Sequence, residues 1–349
     1  MGTQNKLGRI GSQVVVPYRG SEKDFEHLKV MGDLGQIVPV PWHARHREST
    51  ERAIERSNVV VNLVAHNDDT KNFSIEQATV DTARSIAEAA AAAPGVHRVV
   101  FVSCAAADAK APSRYLRAKA EAERVSRSIL GDKLTVVRTT TMFGDEDRFF
   151  HRIGRMARQW PFIPRLPDRR LAPIYVSDVA EALVAIAQRD LAGTYELQGP
   201  SVYQQNELFE RLCEVMRLRP TYVSVPDKLL TPAINLIGLW RNPIFTRDEW
   251  LARGVDEVFS GALPGLAALG VKATHMEDVA IQTLRLYRRA ELFYDVSSDT
   301  EFEAEAEMRA RLTPPDFSKL KSPYDVSARR ARLLGDGEAD SPRPSSSAH

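Results

Sequence analysis

Four short runs, nearly all apolar and rich in β-branched residues, constrain this chain more than any other feature. They are Gln13 to Pro17 (QVVVP), Asn58 to Val64 (NVVVNLV), His97 to Ser103 (HRVVFVS) and Leu134 to Arg138 (LTVVR). A strand with one wet face alternates apolar and polar side chains. Runs without that alternation predict strands covered on both faces, as in a parallel sheet between two helical layers. Gln36 to Val40 (QIVPV) reads as a fifth, weaker strand. Helical patterns fall between them at Glu48 to Arg56, at Ser74 to Ala92 before the Pro94-Gly95 stop, and at Ser113 to Leu130. Strand and helix in alternation predict an α/β, doubly wound parallel sheet.

The rhythm changes after Gly144. DEDRFFHRIGRMARQ reads as helical, PFIPRLPDRRLAP as a proline-rich connection, and PIYVSDVAEALVAIAQ as an entry into a further helix. There Ser177 and Asp178 are expected to cap a helix from about Val179 to Gln188. GTYELQGP reads as a strand and turn, and the chain from Asn206 is mostly helical with proline breaks, including FTRDEW, LPGLAALG and a helix from Met276 to about Phe293. The expected organisation is a dinucleotide-binding-type domain at 1–144 and a smaller, mainly helical domain at 145–295. Within the latter, 173–198 returns a helix and a strand to the first part. A charged helical extension at 296–334 and a tail at 335–349, too poor in large apolar residues to fold, complete the chain.

A chain of 349 residues, 43% hydrophobic, can bury a large core, as one domain or two packed ones. Its net charge of +1 provides no global basic field for nucleic acid. Cys104 and Cys213 make no disulfide framework, and no zinc-type spacing exists. No apolar stretch approaches the ~20 residues that span a bilayer. Lys228 to Arg241 (KLLTPAINLIGLWR) has the apolar bulk, tryptophan and flanking cations of an interfacial helix, or of a core helix broken at Pro232. The opening MGTQNKLGRIGSQ is basic and acid-free, faintly like a transit peptide, yet it runs directly into the first strand and reads as part of a domain.

Chemistry concentrates at Tyr115-x-x-x-Lys119, at the start of the helix after the strand ending in Ser103. One turn apart, the phenol and ammonium share a face, where the cation is expected to lower the phenol pKa and both could hydrogen-bond a nicotinamide ribose. The spacing alone is also common on helix surfaces. A Ser or Thr just past the strand would complete the set, but Ser103 leads into Cys104-Ala105-Ala106-Ala107, so binding is better supported than catalysis. Arg19 follows the first run, where an Arg favours a 2′-phosphate and an acid favours a free ribose; the bland alternative is a solvated loop arginine. His43 and His46 have Arg45 and Arg47 beside them and no third ligand, and Gly144-Asp145-Glu146-Asp147-Arg148 reads as a turn and helix start; no metal site is expected.

With these residues laid out, the chain resembles the extended or atypical short-chain dehydrogenase/reductase superfamily. More narrowly, it resembles the NADPH-binding accessory subunits of mitochondrial respiratory complex I. The segments that carry the resemblance are LGRIGSQVVVPYRG, MGDLGQIVPV, SNVVVNLV, TKNFSIEQATVDTARSIA, SRYLRAKAEAERV, TTMFGDEDRFFHRI, PIYVSDVAEALV, YELQGP, FTRDE and LPGLAALGVKAT, in order from Leu7 to about Tyr294. The resemblance implies a Rossmann-type fold and a non-catalytic component on the matrix side of the inner membrane, peripheral, among other complex I subunits, with NADPH as a structural cofactor. Arg19 would then meet the 2′-phosphate, Val64 and Ala65 would line the adenosine side, and Ser103, Tyr115, Lys119 and Thr139 would approach the nicotinamide end. Tyr115 and Lys119 become relics of a catalytic pair. The competing expectation is a free NADPH-dependent short-chain reductase or sugar-nucleotide epimerase-like enzyme, with Tyr115 as acid/base.

Three departures stand against that pattern. The family begins with a strand, a Gly-rich turn and a helix, and LGRIGSQVVVPYRG matches only the portion after that turn. In the strand order 3-2-1-4-5-6 the missing strand is central, and its loss would orphan buried backbone groups at ~1–3 kcal/mol each. The expectation is therefore of an N-terminally incomplete version of the native chain. His43 stands where related domains often carry an Asp near the adenine, and Thr139 where the family has Pro; both weaken cofactor retention.

Overall fold

The computed structural model describes residues 2–160, 162–165, 168–223 and 246–288. The Lys228 to Arg241 segment, the extension at 296–334 and the tail at 335–349 lie outside the described residues.

In chain order the first half comprises α1 (Gly2–Arg9), β1 (Val14–Tyr18), α2 (Glu26–Lys29), β2 (Ile37–Pro41), α3 (Arg47–Ile54), β3 (Val59–Asn62), α4 (Thr82–Ala92), β4 (Arg98–Cys104), α5 (Arg114–Leu130) and β5 (Leu134–Thr139). A π-helical turn, Gln77–Asp81, leads into α4. The second half adds β6 (Met142–Phe143), α6 (Phe149–Gln159), β7 (Phe162–Pro164), β8 (Arg170–Leu171), β9 (Ile174–Tyr175), α7 (Val176–Arg189), β10 (Gly193–Leu197), β11 (Tyr203–Gln204), α8 (Gln205–Val215), β12 (Thr221–Val223), α9 (Arg247–Ala252) and α10 (Met276–Leu284).

The main sheet has four parallel strands in the order β10-β5-β4-β3. Alternate residues of β4 feed two cores. Val99 and Phe101 pack with α4 and α5 on one face, whereas Val100 and Val102 pack with Val179, Leu183 and Ile186 of α7 on the other. That double burial is why these strands read as unbroken apolar runs. A third cluster, built on Phe143, Phe150, Met156, Leu208, Phe209 and Leu284, holds α6, α8 and α10 together beside the sheet, with Phe143 and Phe150 stacked at 5.1 Å. The turn after β10 depends on Gly199, where an added Cβ would lie 1.8 Å from the Pro173 carbonyl oxygen.

β1 and β2 pair in parallel as a separate two-stranded sheet. Among the described residues no strand pairs with the second edge of β1 or of β3. Helices join the two sheets across this break: α1 packs on both β1 and α7, and α3 packs on β1 and α4. Val59, Val60 and Val61 of β3 are only half-buried, in contrast to the buried valines of β4.

Three local expectations need correction. The opening residues, with no helix or strand expected of them, form α1, which carries too few large apolar residues to show helical periodicity. The strand read as Asn58 to Val64 stops at Asn62, whose side-chain oxygen accepts the Val64 N–H at 3.0 Å and turns the chain. Ser177 and Asp178 do not cap α7, which begins at Val176. Asp178 instead accepts the Thr274 N–H at 2.7 Å and the Thr274 hydroxyl at 3.0 Å, tying the helix to a distant loop. Finally, the proline-rich 161–173 connection contains β7, which pairs with β12.

Candidate functional site

Helix α5 starts where β4 hands over to a loop, and it carries Tyr115 and Lys119 on one turn. Lys119 is buried, its Nζ donating to the Val102 carbonyl at 2.8 Å and lying 5.2 Å from the Phe101 ring centroid. Burial lowers the Lys119 pKa, with Cys104 and Glu123 opposing. Ser103 is buried in β4 with its Oγ lacking a hydrogen-bond partner among the described residues. Thr139, at the end of β5, donates its hydroxyl to the Ser103 carbonyl at 3.3 Å.

Tyr115 lines a cavity of about 270 Å³ together with Asn67, Asp68, Cys104, Thr139, Thr140 and Thr141. Removal of its phenol from water raises the pKa, and Cys104 and Glu257 raise it further. This corrects the expectation that Lys119 would lower it: loss of water dominates at the phenol, and the Lys119 ammonium is turned to the Val102 carbonyl. Burial also pushes the Cys104 thiol up to about 12.

The far wall of the cavity is charged. Glu257 accepts from Arg169 Nη1 at 3.0 Å and from both the N–H and hydroxyl of Thr141, at 2.8 and 2.5 Å. Glu249 on α9 is shared by Arg152 of α6 and by Arg253, the latter at 3.0 Å. Asp248, next to it, reaches the N-terminus of α5, accepting the Ser113 hydroxyl at 2.6 Å and the Arg114 and Tyr115 N–H groups at 2.6 and 3.0 Å. None of these wall residues stands out in the sequence. Apart from the i,i+4 pair of Glu249 and Arg253, the acidic residues in FTRDEW and the arginines of PDRRLAP acquire these partners only once the chain has folded, since the contacts span tens of positions.

Ser103, Tyr115, Lys119 and Thr139 are thus brought to one place. Arg19 stands apart from them, exposed just after β1 with its guanidinium 5.9 Å from the Phe73 ring centroid. Val64 and Ala65 follow β3 along the connection that runs on to Asn67, Asp68 and Phe73. The residues for the two ends of a dinucleotide fit: a basic, aromatic end after β1 and β2, and an end where the orphaned, buried Ser103 hydroxyl precedes Cys104, which lines the Tyr115 cavity. A glycine-rich cradle for the diphosphate between them is not among the described residues. Nor, among those residues, does any group of His, Cys, Asp and Glu suit a metal ion.

Parallel strands flanked by helices on both faces define a Rossmann-type α/β fold, and solved epimerases share it. A nucleoside-diphosphate-sugar epimerase from Staphylococcus aureus superposes with a TM-score of 0.60 at 16% identity, covering 80% of this chain and 95% of that one. The Bordetella bronchiseptica enzyme WbmH, solved in complex with NAD+, gives 0.59 at 15% identity over 83% and 94%. No family model matches the chain. In sequence, the mitochondrial NADH dehydrogenase (ubiquinone) 1 alpha subcomplex subunit 9 of Dictyostelium discoideum is 32% identical over 84% of this chain and 83% of its own length. The Arabidopsis thaliana protein of the same description is 40% identical over 63% of this chain, which spans 56% of that relative. The chain belongs to the family of these complex I alpha subcomplex subunits.

Proposed function

We propose that the protein is a non-catalytic accessory subunit of mitochondrial complex I, peripheral on the matrix side of the inner membrane, supporting assembly and stability with NADPH as a structural cofactor. The observation that carries this reading is the family membership, held over most of the chain. A ligand bound only by the folded state stabilises it by mass action, so a dinucleotide that never reacts can still be required. The partners are other complex I subunits. Among the described residues no helix is long and apolar enough to cross a membrane, so association would run through subunit contacts or a peripheral lipid contact.

The cavity chemistry supports binding over turnover. An acid/base tyrosine works best with a pKa near the operating pH, and burial moves Tyr115 the other way. Lys119 spends one donor on a main-chain carbonyl. The competing reading, a free NADPH-dependent reductase or epimerase, predicts turnover in isolation that Tyr115→Phe abolishes. Native-gel mass profiling of mitochondrial membranes decides between them: co-migration with complex I supports the subunit, and migration as a small free protein overturns it.

A further inference from the structure

Resting on the cofactor reading above, we propose that Arg45 is a second reader of the adenosine 2′-phosphate, acting with Arg19 around the ring of Phe73. Arg19 leaves the C-terminal end of β1 and Arg45 follows the C-terminal end of β2, adjacent parallel strands at the edge where such folds bind nucleotides. Both are exposed, yet both converge on one side chain from a third element: the Phe73 ring centroid lies 5.9 Å from the Arg19 guanidinium and 4.4 Å from that of Arg45. Arg45 also donates to the Asn72 carbonyl, so it is held to the same loop as Phe73.

The charge of this cluster is not already neutralised. Arg98, Arg114 and Arg138 are each paired with a carboxylate, whereas among the described residues Arg19 and Arg45 form no ion pair. His43 adds a donor. Its Nδ1 accepts the Arg45 N–H at 3.2 Å, which leaves the ring proton on Nε2, and the His46 ring stands edge-on at 4.9 Å. Ser49 fixes this turn, its Oγ accepting the His43 N–H at 3.1 Å and donating to the His46 carbonyl at 2.6 Å. Two guanidinium forks beside an aromatic ring suit a dianionic phosphomonoester attached to a flat base. NADPH presents that group, and NADH presents only a hydroxyl in its place. The loop that carries Phe73 also supplies Asn67 and Asp68 to the Tyr115 cavity, so binding at the adenosine end orders part of the other end's wall.

Calorimetric titration of the full chain with NADPH and NADH, and with 2′-AMP against 5′-AMP, tests the assignment. Arg45→Gln and Arg19→Gln should each weaken NADPH on the order of tenfold, leaving NADH unchanged. An Arg45→Gln chain that keeps the wild-type NADPH-to-NADH ratio overturns the role of Arg45 while the cofactor reading stands. Arg45-dependent binding of 2′-AMP without binding of NADPH supports the phosphate subsite and overturns the dinucleotide. Binding of none of the four by the folded wild-type chain overturns both.

Discussion

Asp248 caps the helix that carries Tyr115. Its Oδ2 accepts the Tyr115 N–H at 3.0 Å from 133 positions further along the chain. The same carboxylate takes the Arg114 N–H at 2.6 Å and the Ser113 hydroxyl at 2.6 Å, so one side chain from α9 answers several donors at the start of α5. A negative charge at a helix N-terminus is favourable in its own right, and the partly buried setting strengthens it. Replacing Asp248 by Ala leaves these donors unanswered and should cost about 2–3 kcal/mol in urea unfolding. Asp248→Asn, which keeps an acceptor but not the charge, should lose less. Equal stability of Asp248→Ala and wild type would show that α5 does not depend on this cap.

The Arg169–Glu257 pair gives a larger expected loss. The Arg169 side chain is only 4% exposed, and Glu257 is its carboxylate partner at 3.0 Å. Glu257→Ala strands a buried guanidinium and should cost about 3–5 kcal/mol. The double variant Arg169→Met/Glu257→Met, with no uncompensated charge, should recover part of that loss. Chemical denaturation of the three chains gives the comparison, and a double variant weaker than Glu257→Ala would contradict it.

Burial disfavours the charged form of both thiols and of the Tyr115 phenol, so none should behave as an exposed group does. Cys104 is pushed up to about 12 and Cys213 is also raised by burial. Iodoacetamide at neutral pH should therefore leave both cysteines unmodified in the folded chain and alkylate both in urea. Subtracting the Tyr115→Phe spectrum from wild type should leave no tyrosinate absorbance near pH 10, where an exposed phenol is half ionised.

Arg114 links the start of α5 to the β3–α4 connection through Asp69 at 2.7 Å and Glu76 at 2.8 Å. Hydrogen bonds from Arg114 hold both carboxyl pKa values below their ordinary range. A carboxyl whose folded pKa is depressed contributes stability above its unfolded pKa, and that contribution disappears as pH falls through the folded value. Wild type should therefore lose stability below about pH 4.5 more steeply than Arg114→Gln. The two curves should run parallel between about pH 6 and 8. Melting temperatures across that range supply the test, and identical acid limbs would discount the pair.

The parts of this molecule legible in the sequence are those decided within a few residues. β4 and β5 could be read because β-branched residues buried on both faces leave no polar interruption, and α5 because Ser113 caps it locally, its Oγ accepting the Leu116 N–H. The Tyr115–Lys119 spacing was legible for the same reason. The cavity wall was not, because Asp248, Glu249 and Glu257 answer donors on α5, α6 and the link between β5 and β6, and no local pattern encodes partners so far away. Ser177 and Asp178 misled because a hydroxyl and a carboxylate at a helix start resemble a cap whether or not the helix has already begun. The direction of the Tyr115 shift was hidden too, since spacing reports the nearby cation but not the loss of water.

The break between the two sheets should be visible in amide exchange. β4 is paired on both sides, by β3 and by β5, so its amides have strand partners in both directions. Among the described residues β3 pairs with β4 and β1 with β2, so Val59 and Val61 of β3 direct their N–H groups to an edge with no described strand, whereas in β1 Val15 does so and Pro17 has no N–H to offer. Edge amides open without breaking the core and exchange at the low end of the stability range. Deuterium uptake should therefore be partly fast, about half complete early in a peptide spanning Val59 to Asn62 and about a quarter in one spanning Val14 to Tyr18, while Val99 to Val102 remains protected until global unfolding. If a strand from elsewhere in the assembly or the polypeptide fills the break, the fast fraction in both segments should become protected together, because one strand would pair with both edges at once. Protection of one segment without the other would mean that β1 and β3 do not face a common slot.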